Sequence, residues 1–302
     1  MSLTKTSQLY AVKLGSTLFH MLQDAALASN VQDLIETPVG STVPLFNSAL
    51  QVRPDVAYTT DQLKSALTLL GVAGGDAGIA KLFGRKVANK SGPVAIASTV
   101  HACWTASASM GVINTITAGN RQKARAQIRV VLLKNGATAA LVYAGNSALD
   151  SYTTAIENYV LGPILVGGNI IEGTNDLSIA FNPRVSEPDD DYETEQVFAA
   201  VEATQPVVSF SSTDPDIWDL HNTEFLTAGG PLKVNLIAQK QNSLREADAA
   251  LKHILFTGGS GRIVCESVGG SKQLTRVRCV LNSPDGTTAP LTAGIDVALA
   301  LT

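Results

Sequence analysis

The sequence predicts a mainly β protein made of two like halves, each a β-sandwich or flattened barrel with one helix on its flank. Three observations predict it. Short phrases recur in one order about a domain apart. Polar and apolar residues alternate along the best strand candidates. The best helical stripe is a single short segment.

The recurrence sets the organisation. "KNGATAALV" (Lys134 to Val142) and "PDGTTAPLT" (Pro284 to Thr292) share Gly, Thr, Ala and Leu in order, with Gly136 and Gly286 150 positions apart. "HACWTASASMG" and "HILFTGGSG" each read His, two residues, an aromatic, then Thr, from His101 and from His253. "RPDVAYTTD" faces "QPVVSFSSTD", and Pro54 precedes His101 by 47 positions, as Pro206 precedes His253. "RVVL" at Arg129 faces "RCVL" at Arg278, and Leu14-Gly15 is paired with Leu161-Gly162. A period this long is a domain, not a solenoid unit. A tandem duplication is expected, with domains at 1–155 and 156–302.

Composition fits that division. The chain has 302 residues, 45% hydrophobic and 16% charged, enough apolar material for two cores and too little charge for disorder. No apolar run approaches the roughly 18–20 residues that span a membrane, and the first residues show no signal-peptide pattern. Cys103, Cys265 and Cys279 are an odd number split unevenly between the halves. Free, buried thiols of a reducing compartment are the expectation.

The elements follow from local pattern. "TDQLKSALTLLG" predicts a helix with Thr60 or Asp61 as its cap, a stripe of Leu63, Ala66, Leu67 and Leu70, and Gly71 as its end. "NKSG" (Asn89 to Gly92) predicts a hairpin tip. In "RQKARAQIRVVLL", Arg121, Lys123, Arg125, Gln127 and Arg129 share one parity, and Ala124, Ala126, Ile128, Val130 and Leu132 the other. A two-residue period puts these sets on opposite faces of a sheet. Lys134-Asn135-Gly136 then supplies a turn. In the second half "TDPDIWDL" is the shorter helical counterpart, with Pro215 suited to a first turn. "TRVRCVL" keeps the strand phase, with Val277, Cys279 and Leu281 inward and Arg276 and Arg278 outward. Pro284-Asp285-Gly286 supplies its turn.

Candidate chemistry is sparse. His20, His101, His221 and His253 are scattered, and no Cys/His spacing resembles a zinc site. "GVAGGDAG" and "GGSGR" match neither phosphate-loop nor dinucleotide patterns and read as turns. "EPDDDYETE" (Glu187 to Glu195) holds six carboxylates but fails the calcium-loop spacing, so a solvated acidic loop is favoured over a cation site. No catalytic, cofactor or metal residue is assigned, and no enzyme is expected.

Charge is more informative. Residues 1–155 carry 13 Lys/Arg and 7 Asp/Glu, a balance of +6, and residues 156–302 carry 9 and 19, a balance of −10. Drift on solvent faces would give this. So would alternating neighbours in an assembly, where opposite potentials set orientation. On the second reading the candidate interface is Arg121, Lys123, Arg125 and Arg129 against Asp189, Asp190 and Asp191.

The order of Leu-Gly, Pro before an alternating strand and "TTDQL", His opening a strand, and Asn-Gly before "TAAL" or Asp-Gly before "TAPL" resembles tail-tube-like proteins of long-tailed bacteriophages, in a form with two tandem tube domains. The resemblance covers nearly the whole chain. It implies sandwiches with a flanking helix, rings stacked into a hollow tube, and passage of DNA. It implies no catalytic residues and no cofactor. Single-domain members build six-membered rings, so a duplicated chain would close as a trimer. Partners would then be further copies, other virion tail proteins and transiently passing DNA, with no membrane. The place would be the virion, assembled in the bacterial cytoplasm. Unlike halves of neighbouring copies are expected to meet, with the arginine row away from any channel. Alternatives are a head–tail connector, a capsid decoration protein, a baseplate hub piece, or a module binding glycans or nucleic acid. Aromatic residues are only 5%, which leaves few stacking platforms for the last.

Overall fold

Alternation of buried and exposed side chains marks strands such as Asp55–Thr60, Gln122–Leu133 and Leu274–Leu281, while others, such as Tyr159–Val166 and Leu232–Ala238, are mostly apolar and buried along nearly their whole length. The computed structural model describes residues 5–20, 22–36, 39, 43, 46–88, 101–149, 157–188, 193–225, 231–240, 244–269 and 274–301. The first half opens with β1 (Lys5–Leu14), β2 (Thr17–Phe19), β3 (Leu22–Ala28), β4 (Val31–Glu36), β5 (Phe46–Val52) and β6 (Asp55–Thr60). Helix α1 (Leu63–Leu70) follows. Then come β7 (Gly75–Asp76), β8 (Ala80–Ala88), β9 (His101–Ala106), β10 (Ala108–Gly119), β11 (Gln122–Leu133) and β12 (Val142–Ser147). The second half opens with β13 (Tyr159–Val166), β14 (Asn169–Ile171), β15 (Thr174–Ala180), β16 (Pro183–Ser186), β17 (Ala200–Thr204) and β18 (Val207–Ser212). A 3₁₀ helix at Pro215–Leu220 stands where α1 stood. The chain continues through β19 (Glu224–Phe225), β20 (Leu232–Ala238), β21 (His253–Gly258), β22 (Gly261–Gly269), β23 (Leu274–Leu281) and β24 (Leu291–Val297). The fold is mainly β, with antiparallel sheets. Asn89 to Gly92 lies outside the described residues.

The strand order of the first half recurs in the second. One five-stranded sheet runs β2-β1-β8-β9-β12, and the other runs β14-β13-β20-β21-β24. A ten-stranded sheet contains β11-β6-β3 beside β10 and β7, and β23-β18-β15 beside β22 and β19. The two small hairpins, β4-β5 and β16-β17, correspond as well. Register agrees to the residue. Ile113 faces Ile128 before a bulge at Asn114, and Cys265 faces Val277 before a bulge at Glu266. Val131 faces Asp55, and Val280 faces Val207. The N–H groups of Leu132 and Leu281 donate to Pro54 O and Pro206 O at 2.9 and 3.1 Å. Pro54 and Pro206 thus stand before equivalent strands, and His101 and His253 open equivalent strands. Gly136 and Gly286 follow equivalent strands with φ of 58° and 75°. Such values favour glycine because a Cβ would crowd the backbone.

One sequence pairing does not survive. Leu161-Gly162 lies inside β13, whereas Leu14 ends β1 and Gly15 begins the turn after it. Register makes Val166 and Gly167 the counterparts of Leu14 and Gly15, since Val166 faces Asn169 as Leu14 faces Thr17, and both glycines turn through positive φ, 54° for Gly15 and 61° for Gly167. Leu-Gly is a common dipeptide, and the match was accidental.

The main core runs through both halves, where two cores were expected, and smaller clusters flank it. The apolar face of the ten-stranded sheet includes Ile116, Ile128, Val130, Leu177, Ile179, Phe210 and Val277. It packs in one cluster with Val12, Leu82, Ile164, Val234, Ile254 and Phe256 of the two five-stranded sheets. Burying each large side chain contributes about 1.5–3 kcal/mol. Parity along β11 holds, with Ile128, Val130 and Leu132 each at 0% exposure and Arg125 exposed.

Helix α1 buries the predicted stripe of Leu63, Ala66, Leu67 and Leu70, and Gly71 closes it with its N–H donating to Leu67 O. Its start differs from expectation. Neither Thr60 nor Asp61 caps it, because Thr60 Oγ1 accepts from Gln62 N–H and the free N–H groups meet a distant carboxylate instead. The 3₁₀ helix has Pro215 in its first turn and Asp214 accepting from Asp216 N–H at 3.0 Å.

Candidate assembly interface

The two halves meet edge to edge. Strand β10 is twelve residues long, and its outer edge is shared. Met110 and Gly111 pair with β7, while Thr115 to Gly119 pair antiparallel with Ala180 to Asp176 of β15. Phe181 N–H extends this ladder to Asn114 O at 2.9 Å. Strand β13 packs on β10 and β11 of the first half. As a result Ile116, Leu177 and Ile179 are all buried at 2% exposure or less.

Carboxylates of the second half reinforce this joint. Glu157 accepts from the N–H groups of Lys64 and Ser65 at 2.6 and 3.2 Å, and from Ser65 Oγ. It therefore serves the N-terminus of α1, where unpaired donors and the helix dipole favour negative charge. Burial pushes its pKa up, and the bonds from Ser65 and Lys64 offset part of that. Lys64 Nζ meets Asp296 at 2.7 Å. Arg129 donates to Asp55 and to Glu187, both at 3.0 Å. Lys134 pairs with Glu193, and Glu195 accepts from Ala140 N–H at 2.8 Å. Thr194 O accepts from Val52 N–H, and Gln196 O accepts from Lys134 N–H, both at 2.7 Å.

These contacts revise the reading of the acidic segment. Glu187 and Glu195 are partly buried and docked on the first half, and Glu193, though exposed, pairs with its Lys134, because cations and N–H groups of that half lie within reach. Asp189, Asp190 and Asp191 lie outside the described residues. Lys123, Arg125 and Arg129 share the polar face of β11, and Arg121 lies outside that strand; their surroundings differ. Arg121 sits in the turn before β11, Lys123 Nζ is 3.9 Å from Asp61, Arg125 is exposed, and Arg129 is held between two carboxylates. Arg129 is the one whose ion pair crosses between the halves.

The polar face of the ten-stranded sheet is hollowed across this joint. A depression of about 530 Å³ is lined by Lys123, Arg125, Asp176, Ser211, Glu266 and Arg276, among others. Ser211 donates to Asp176 at 2.7 Å within it. Both signs of charge share this surface.

The remaining candidates have structural partners. His253 Nδ1 accepts from Ala238 N–H at 3.1 Å and its Nε2 lies 2.9 Å from Ala247 O. His101 is paired with the Tyr10 hydroxyl, and His221 Nδ1 accepts from Cys265 N–H. The three cysteines are free and buried. Among the described residues, no group of His, Cys, Asp and Glu has the arrangement to hold a metal ion, and no helix is long and apolar enough to cross a membrane. No protein-family model matches the chain, and no curated protein sequence matches it. Sequence reasoning missed Glu157 and the pairing of β10 with β15, and no local pattern in the sequence marks either one.

Proposed function

We propose that this chain is a duplicated structural subunit of a phage tail tube, and that copies join head to tail in rings that stack around a DNA channel. The supporting observation is the strand order common to both halves, with those halves already joined side by side in one sheet. A second half docked on a first half is a heterologous contact. Repeated between chains, such a contact closes into a ring when the rotation divides the circle. Three copies would bring six repeat units together.

The charge division supports the same reading in a narrower form. Part of the complementarity is used within the chain, through Arg129 with Glu187 and Lys134 with Glu193. What is left selects partners, while apolar burial and strand pairing supply affinity, since exposed charges are screened beyond about 8–10 Å in physiological salt. The channel assignment changes from the sequence-based one. Continuing the sheet with its hollow inward turns Lys123 and Arg125 towards the channel, beside Asp176 and Glu266. A lining of mixed sign holds phosphates less than a basic one would.

Sedimentation across a concentration series with negative-stain images tests this reading. The expected result is trimer-sized rings with a central hole, some stacked. A monomer at every concentration overturns it.

A further inference from the structure

The joint inside the chain has an unfilled counterpart at each end of the ten-stranded sheet. Strand β15 of the second half lies along β10 of the first. The strand equivalent to β15 is β3, and among the described residues it is the last strand of the sheet, paired on one side only, with β6. The strand equivalent to β10 is β22. Its outer edge pairs with β19 at Gly261 and Arg262, as β10 pairs with β7, and Ser267 to Gly269 have no partner on that side among the described residues.

Exposure shows what each edge lacks. Ile116 is fully buried at the joint, while Val268, 152 positions on, is 57% exposed on a strand edge. Ile179 and Leu177 are buried, while their equivalents Leu27 and Ala25 are only half-buried. A bare edge with an exposed apolar residue is a template for pairing. The β4-β5 hairpin adds charge. In the second half Val185 packs on a cluster that includes Met110. The equivalents of Val185 and Met110 are Asp33 and Arg262, opposite charges that the same docking would bring together.

We infer that β3 of one copy pairs antiparallel with the β22 edge of the next, in the register that β15 uses on β10. Ala28 then faces Ser267, Leu27 faces Val268, and Ala26 faces Gly269. Ser29 N–H donates to Glu266 O, as Phe181 N–H donates to Asn114 O. The partner is a second copy of this chain, because β3 and the β22 edge are already matched in spacing and bulge by the in-chain pair. This rests on the ring reading and names the surface that makes the ring.

Two variants of the full chain test it beside the wild type. In Leu27→Cys/Val268→Cys, opposed Cα atoms about 4.5–5.5 Å apart suit a disulfide. Mild oxidation should give a ladder of covalent oligomers, and either single variant should not. Val268→Lys puts a charge into the pairing. It should raise the half-assembly concentration about tenfold or more, a change of about 1.4 kcal/mol, and leave the melting of the monomer unchanged. Ile170→Lys, at an exposed position on β14, should assemble as the wild type does. Rings that form normally with Val268→Lys and give no Leu27–Val268 disulfide overturn the pairing and leave the ring reading standing. A wild type that never assembles overturns both.

Discussion

Asn30 and Asn182 make the same turn with the same bond. Each has φ of 45°, and each donates its side-chain amide at 3.0 Å to a backbone carbonyl, Arg53 O for Asn30 and Gln205 O for Asn182. Donor and acceptor are both displaced by 152 positions. Asparagine suits this place because it tolerates the left-handed region and its short amide can bond locally. The bond ties the end of β3 or β15 to the entry of β6 or β18, and so fixes where each of these two strands stops.

The first prediction concerns that turn. Asn182→Ala should cost about 1–2 kcal/mol, because it adds left-handed strain to a lost hydrogen bond. Asn182→Gly relieves the strain and should cost roughly half as much or less. Thermal or urea unfolding decides the order. A glycine variant less stable than the alanine variant would show that strain is not the larger part.

Parity along β11 gives a second. Ile128→Ala removes a fully buried side chain and should cost about 2–5 kcal/mol. Arg125→Ala, four positions from Arg129 on the exposed face, should change stability by less than about 0.5 kcal/mol. Equal losses in urea titration would mean that the sheet does not present these faces.

How far the sequence carries can be seen in these residues. Alternation in Lys123 to Leu132 and the stripe from Leu63 to Leu70 are local periodicities, and both faces were legible from them. Matching phrases at Pro54 and Pro206, or His101 and His253, mark equivalent strands because both strands make the same corner. Leu161-Gly162 misled, since two common residues carry little information. The cap of α1 was not legible. Glu157 lies 93 positions from Lys64, and nothing near either residue announces the contact. Nor was the pairing of β10 with β15, because an edge strand looks the same in sequence whether its outer side is filled or bare.

The cap gives a third prediction. Glu157→Ala removes the acceptor for two N–H groups and should cost about 1–2 kcal/mol. Glu157→Gln keeps one acceptor oxygen and should cost less. The pH dependence has a definite sign. Burial raises the folded pKa above the unfolded one, so the folded state holds this proton more tightly. The favourable contribution is then full below the unfolded pKa and fades as pH rises through the raised folded value. Unfolding curves from pH 4 to 7 should show that component in the wild type and not in Glu157→Gln. The same slope in both would assign it to other groups.

A fourth concerns the thiols. Burial pushes Cys279 up to about 12 and also raises Cys265, and Cys103 is 4% exposed. The thiolate is the reactive form. In native buffer at pH 8 an aromatic disulfide reagent should find almost no reactive thiol, and in denaturant it should find all three. Rapid release of one equivalent from native protein would mean local opening near β9 or β22.

The last prediction weighs the ion pair across the joint. Arg129 holds Asp55 and Glu187 together, with side-chain exposures of 33% for Arg129 and 13% for Glu187. An exposed pair contributes about 0–1 kcal/mol, and this one lies at or above that range because Glu187 is largely shielded. The two partners are not interchangeable in their loss. Glu187→Gln leaves Arg129 its bond to Asp55 and should cost under about 1 kcal/mol. Arg129→Met leaves two carboxylates facing one another without their cation and should cost about 2 kcal/mol, much of it the penalty for Glu187. In the double variant that penalty is relieved, so the two losses should add to more than the double variant shows, by about 1 kcal/mol. Strict additivity in urea unfolding would mean that Arg129 and Glu187 do not act on one another, and that strand pairing, apolar burial and the other polar contacts hold the joint without this pair.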